Sequence, residues 1–227
     1  MAPPTTGTAA APAAAAAPAT GAASGQAPDT VIFDLGGVLL DWNPRYLYRQ
    51  LFQDPAEMEG FLAGICTSEW HRAHDLGEDT LRSCQRLARQ HPAYRDLIMA
   101  WAERGEEMIA GQFDETVEIL GALKATGVRC YALSNMERET FPRRRRRFGF
   151  LEWFDGHVIS GIEGVAKPDR KIFQILLERH RLDPGAAVFI DDSPPNVAAA
   201  SELGLTALRF TSARQLRADL QALGLRS

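Results

Sequence analysis

The sequence predicts an α/β fold: a parallel sheet of about five strands, helices on both faces, and a helical unit inserted after the first strand. Three observations predict it. Val31-Ile32-Phe33 is an unbroken apolar run that ends in one carboxylate, Asp34, followed by Gly36 and Gly37. Such a run suits a strand covered on both faces. From residue 44 to 111 the spacing is helical, with no strong strand. Beyond Phe113 helical stripes and short apolar runs alternate, which implies βαβ units and right-handed crossovers.

Taken in order, the first strand delivers Asp34 at its carboxyl end, where open α/β sheets place ligands. The two glycines let the chain turn and bring bare backbone close to that carboxylate. Helical pieces are expected over 45–53, 55–63 and 79–90, then a longer face of Ile98, Trp101, Ala102, Gly105, Met108 and Ile109. Val117, Leu120 and Leu123 form a stripe that stops near Gly127. Val128 to Leu133 reads as a strand carrying Ser134 and Asn135 at its end. His157-Val158-Ile159 is a third strand, with Lys167-Pro168-Asp169 beyond it. Ala187 to Ile190 is a fourth and runs into Asp191-Asp192-Ser193. Ser193 is a good N-cap and Pro194 suits a first helical turn. Thr206 to Phe210 is a fifth strand, and Leu216, Leu220 and Leu223 mark a closing amphipathic helix. The organisation is therefore a core of residues 29–43 and 112–227 and a helical unit of residues 44–111. It is preceded by residues 1–28, an Ala/Pro-rich tail with no charged side chain and no Leu, Ile, Val or Phe, expected to be disordered.

Composition narrows the function classes. The 227 residues are 45% hydrophobic and 24% charged with a net charge of −4, enough for one sizeable core. No segment has the length and apolarity of a membrane span, and the tail lacks the basic and strongly apolar regions of a secretory signal. Cys66, Cys84 and Cys130 show no metal spacing and read as reduced thiols of a cytoplasmic protein. Arg143 to Arg147 suggests polyanion binding. Five consecutive side chains fan around a helix, however, and the chain is mildly acidic, so a solvated face is the simpler reading and nucleic acid is not an expected partner. Trp70, His71, His74 and Asp75 cluster before Gly77. With no third ligand at a metal spacing, they read as polar residues of a helix end or cleft wall. Trp42, Asn43 and Arg45 either line the cleft or pack at the hinge.

Four polar sets fall at or just beyond strand ends: Asp34, Ser134-Asn135, Lys167 and Asp191-Asp192. A carboxylate nucleophile, a hydroxyl donor, a cation and further carboxylates are what phosphoryl transfer through an aspartyl intermediate requires. Hard oxygen donors also suit Mg²⁺. On Phe33-Asp34-Leu35-Gly36-Gly37-Val38, Leu133-Ser134-Asn135, Lys167-Pro168-Asp169 and Phe189-Ile190-Asp191-Asp192-Ser193, the chain resembles the haloacid dehalogenase superfamily, in its subgroup with a helical cap after the first strand. The resemblance spans residues 31 to about 210. It implies a Rossmann-like core, Asp34 as nucleophile, Ser134 and Asn135 at the phosphate, and Lys167 neutralising the phosphoryl group and steadying Asp34. It further implies Mg²⁺ held by Asp34, the Gly36 carbonyl and Asp192, with Asp191 supporting, and a small phosphorylated molecule, such as a sugar phosphate, as substrate.

One position departs from that pattern. Most phosphatases of the superfamily carry a second Asp two residues after the nucleophile as general acid and base, and here Gly36 stands there. Three readings follow. The leaving group needs little protonation, as with a sugar 1-phosphate, an option that resemblance to the glucose-1-phosphate phosphatase-like group with a DLG first motif supports. Alternatively Asp41, a cap residue such as His74, or water takes the role. Finally, the protein is a weakly active phospho-ligand binder. A 2-haloacid dehalogenase shares the Asp nucleophile and the cap but needs no Mg²⁺, and the Asp191-Asp192 pair favours the metal-dependent phosphatase.

Overall fold

The computed structural model describes residues 27–227. The expected tail therefore lies, apart from Ala27 and Pro28, outside the described residues. Five parallel strands build the sheet in the order β5-β4-β1-β6-β7. They are β1 Thr30–Phe33, β4 Arg129–Ser134, β5 Gly156–Ile159, β6 Ala187–Asp191 and β7 Thr206–Arg209. β1 is central, with Phe33 paired to Ala132 on one side and Ile190 on the other. All four of its residues are buried, as the apolar run required.

Alternate side chains of β1 feed two cores. Val31 and Phe33 pack with Leu120 and Leu123 of helix Asp114–Ala125 and with Leu216 and Leu220 of helix Ala213–Ala222. Ile32 packs on the other face with Ile172, Phe173 and Leu176 of helix Arg170–His180 and Ala199 and Ala200 of helix Pro194–Glu202. Period-2 alternation between two covered faces is what makes a sheet three layers thick.

The insertion folds around its own core, in which Tyr48, Met58, Phe61, Cys84, Ile98 and Trp101 are buried. Its helices are Pro55–Gly64, Ser68–Asp75, Thr80–Gln90 and Arg95–Glu103. Two expectations there need correction. The helix expected over 45–53 is one turn, Arg45–Tyr48; Asp54 is extended before Pro55, which begins the next helix. Met108 and Ile109 do not continue the Ile98–Trp101 helix. Ile109 opens strand β3, Ile109–Gln112, which pairs antiparallel with β2, Leu40–Trp42. The chain leaves and re-enters the core here, and pairing its two crossing segments satisfies their backbone groups. Ile109 accordingly packs into the sheet's core rather than the insertion's. No helix among the described residues is long and apolar enough to cross a membrane.

Candidate active site

The carboxyl edge of the sheet collects the predicted residues. Lys167 lies wholly buried between two carboxylates, with Nζ 3.0 Å from Asp34 Oδ1 and 2.6 Å from Asp191 Oδ2. Asp34 directly follows β1, its backbone N–H donating to the Ile190 carbonyl. Its Oδ1 also accepts from Leu35 N at 2.7 Å. Burial pushes the Asp34 carboxyl up to about 7, against the pull of Lys167. Burial opposes the charge on Lys167 too, but the two carboxylates outweigh it and hold the ammonium above its ordinary value.

Asp191 is saturated. It accepts from Lys167, from Ser193 N at 2.9 Å and from Asn196 Nδ2 at 3.0 Å to each oxygen. Ser193 stands at the N-cap position of helix Pro194–Glu202 but makes no side-chain cap bond, correcting the expected capping; its N–H serves Asp191 instead. Asp192 is exposed and faces the glycine turn. Gly37 has φ 75°, and a Cβ there would meet Asp192 Oδ2 at 2.6 Å. Only glycine lets the backbone take that shape so close to the carboxylate. Gly36 has nothing within 4 Å of where its Cβ would stand. Asp34, Asp191 and Asp192 can each place one oxygen within 4.8 Å of the others. That hard-oxygen set fits a divalent cation, and with Asp191 already committed, Asp34 and Asp192 are the carboxylates with free capacity.

Asp34, Gly36, Gly37, Ser134, Asn135 and Asp192 line one cleft of about 410 Å³. Ser134 ends β4, the strand paired with β1, and lines the same cleft as Asp34. Asn135 clamps Lys167: its Nδ2 donates to the Lys167 carbonyl at 3.0 Å and its Oδ1 accepts from the Lys167 N–H at 2.9 Å.

The cleft is also lined by His71 and Asp75, in keeping with the cleft-wall reading of that cluster, and by Glu137 and Arg144, which the sequence did not assign. His71 and Asp75 come from helix Ser68–Asp75 of the insertion, Glu137 follows β4, and Arg144 lies on helix Phe141–Arg147. Within the Arg143–Arg147 run, Arg144 is only 6% exposed, correcting a uniformly solvated reading. A usable signal was present, since Phe141, Arg144 and Phe148 fall at helical spacing and all are buried. Nothing local to Glu137 marks it. Trp42 lines the same cleft and stacks on His71, while Arg45 turns away to Glu59 at 2.6 Å. Asp41 accepts from the Tyr46 hydroxyl at 2.9 and 2.8 Å and His74 is fully buried; neither borders the cleft.

A haloacid dehalogenase-like hydrolase family model matches residues 28–204. The chain belongs to the haloacid dehalogenase-like hydrolases. Among its relatives, this hydrolase is 28% identical to a sesquiterpene phosphatase of Aspergillus oryzae, over 85% of this chain and 94% of that one. It is also 28% identical to a phosphorylated-carbohydrate phosphatase of Thermotoga maritima, over 78% and 82%. Its fold matches that of a HAD-like hydrolase from Porphyromonas gingivalis, with a TM-score of 0.68 over 89% of this chain and all of that one at 20% identity.

Proposed function

We propose that this hydrolase removes phosphate from a small phosphomonoester, with Mg²⁺ as cofactor and a phospho-aspartate at Asp34 as intermediate. The observation that carries the reading is the buried Lys167 shared by Asp34 and Asp191. An ammonium held there fixes the nucleophile's direction and neutralises a phosphoryl group arriving beside it. Ser134 lies in the same cleft and offers a hydroxyl to a phosphoryl oxygen. Asp34 and Asp192, with the Gly36 carbonyl, would hold Mg²⁺, and Asp191, itself held by Asn196, would steady Asp34 through Lys167. When bound, the ion supplies positive charge to the transferring oxygens. Asp34 then attacks phosphorus as the ester oxygen departs, and water attacks the phosphorus of the acyl phosphate to free the carboxylate.

The cleft wall supports a hydroxylated substrate such as a sugar phosphate. His71, Asp75, Glu137 and Arg144 line it, whereas a terpenyl tail would need apolar lining. The helical insertion would act as the cap over this substrate, hinged on the β2–β3 ribbon. The three buried, unpaired cysteines support a cytoplasmic location. A screen with Mg²⁺ of sugar phosphates, nucleotides and p-nitrophenyl phosphate, with a 2-haloacid control, tests the reading. Phosphate release that Asp34→Asn abolishes is expected; halide release without phosphate release would overturn it.

A further inference from the structure

The family's usual general acid is replaced by Gly36, which has no side chain to donate a proton. We propose that His71, oriented by Glu137, is the proton donor to the leaving oxygen and the base for the water that follows; this rests on the phosphatase reading above. Both residues line the cleft that holds Asp34, His71 from the insertion and Glu137 from the segment after β4.

The arrangement is that of an imidazole fixed by a carboxylate. His71 Nε2 lies 3.4 Å from Glu137 Oε1. Glu137 is itself anchored through Oε2, which accepts from the Thr140 hydroxyl at 3.0 Å and lies 3.7 Å from Arg144 Nη2. Trp42 stacks on the imidazole at 5.1 Å and 15°, setting the plane of the ring. One nitrogen is thus held by a supported carboxylate, leaving the other for the substrate, which is the logic of a base oriented by a third group. Asp41 and His74 do not border the cleft.

The groups facing His71 are Glu137 and Arg144 from the core side and His74 and Asp75 from its own helix. Burial disfavours the imidazolium, but the two carboxylates outweigh that and raise His71 above its ordinary value. In the donor role His71 enters the reaction as the imidazolium. As Asp34 attacks, the P–O bond breaks with its electron pair on the ester oxygen, and His71 transfers its proton there. Neutral His71 next accepts a proton from the attacking water, whose oxygen joins phosphorus as the Asp34 acyl–phosphate bond breaks. The imidazolium is restored, and protons balance over the cycle. His71, His74 and Glu137 could also be read as a metal cluster. The guanidinium of Arg144 beside Glu137 opposes a second dication there.

The test is kcat/KM against leaving-group basicity for a series from p-nitrophenyl to alkyl phosphates. The wild type should show a shallow dependence. His71→Gln should lose about 10²–10⁴-fold on alkyl phosphates and far less on p-nitrophenyl phosphate, whose leaving group needs little protonation. Gly36→Asp in that background should restore alkyl turnover, because a Cβ at Gly36 meets nothing within 4 Å. Glu137→Gln, a change at a positioning residue, should move the alkaline limb of the alkyl-phosphate profile to lower pH. Thermal melting and Mg²⁺ binding verify that each variant is folded. Equal losses on both substrate types, no loss, or zinc bound stoichiometrically at His71 and His74 would overturn the proposal. If the wild type hydrolyses no phosphomonoester at all, it is the phosphatase reading that fails.

Discussion

The sheet side of the cleft and the insertion side are built on opposite plans. On the sheet side the buried charges have committed partners: Lys167 bridges Asp34 and Asp191, and Asp191 accepts four hydrogen bonds. Where the insertion's His71 meets the core the ion-pair contacts are longer, with 3.4 Å from His71 to Glu137 and 3.7 Å from Arg144 to Glu137, and Arg144 Nε has no partner among the described residues. A saturated network is rigid and suits chemistry that must be identical at each turnover. A looser wall suits recognition and proton transfer, which are completed when substrate arrives.

Breaking the sheet side should have the larger consequences. Asp34→Asn is nearly isosteric and cannot form the acyl phosphate, so turnover should fall by about 10⁴-fold or more with the fold intact. Steady-state kinetics and circular dichroism check both halves; activity close to wild type would end the covalent account. Lys167→Ala should abolish activity as well, but it also strands two buried carboxylates, and urea unfolding should show a loss of about 3–5 kcal/mol. That contrast separates a nucleophile from a structural ion.

The metal side chains give the next test. Asp192→Ala should lose Mg²⁺ binding, measured by calorimetry, together with activity. Asp191→Ala should be milder on metal, by about 10–100-fold in affinity, yet costlier in stability because Lys167 and Asn196 lose their acceptor. The reverse pattern would exchange their roles.

The smallest effect is on pH-dependent stability. Burial raises Asp34 to about 7 in the folded chain, against an ordinary value of 3.8. Its contribution is fully present below pH 3.8 and is lost as pH rises through about 7. Glu137 is the opposite case. Burial would raise it, but His71 and Arg144 win and hold it at about 2, so its contribution is present above its ordinary 4.5 and lost as pH falls toward 2. Chelated protein should therefore melt at lower temperature at pH 8 than at pH 6, with Mg²⁺ or Asp34→Asn flattening the difference. A melting temperature unchanged between those pH values in wild-type protein would contradict the burial argument.

The same two sides differ in how far they could be read from residues. Asp34 follows, and Ser134 and Asp191 end, strands built on apolar runs, so order along the chain predicted their meeting. The β2–β3 ribbon was missed because three or four residues carry too little periodicity to be told from a helix end. His71 and Glu137 are 66 positions apart and meet only because the insertion folds back over β4. Arg144 hid inside a charge run whose other members are partly or fully exposed. Asn135 was placed at the phosphate by resemblance, and its clamp on Lys167 follows from tertiary contact alone.

The central claim is a double displacement at phosphorus through Asp34. The most direct measurement is the stereochemical course of hydrolysis of a phosphorothioate monoester that is chiral at phosphorus, run in ¹⁸O-labelled water. Each in-line displacement inverts the centre. Two successive displacements, ester to Asp34 and Asp34 to water, predict net retention in the thiophosphate product. Net inversion would mean that water attacks the substrate directly, and would contradict the account.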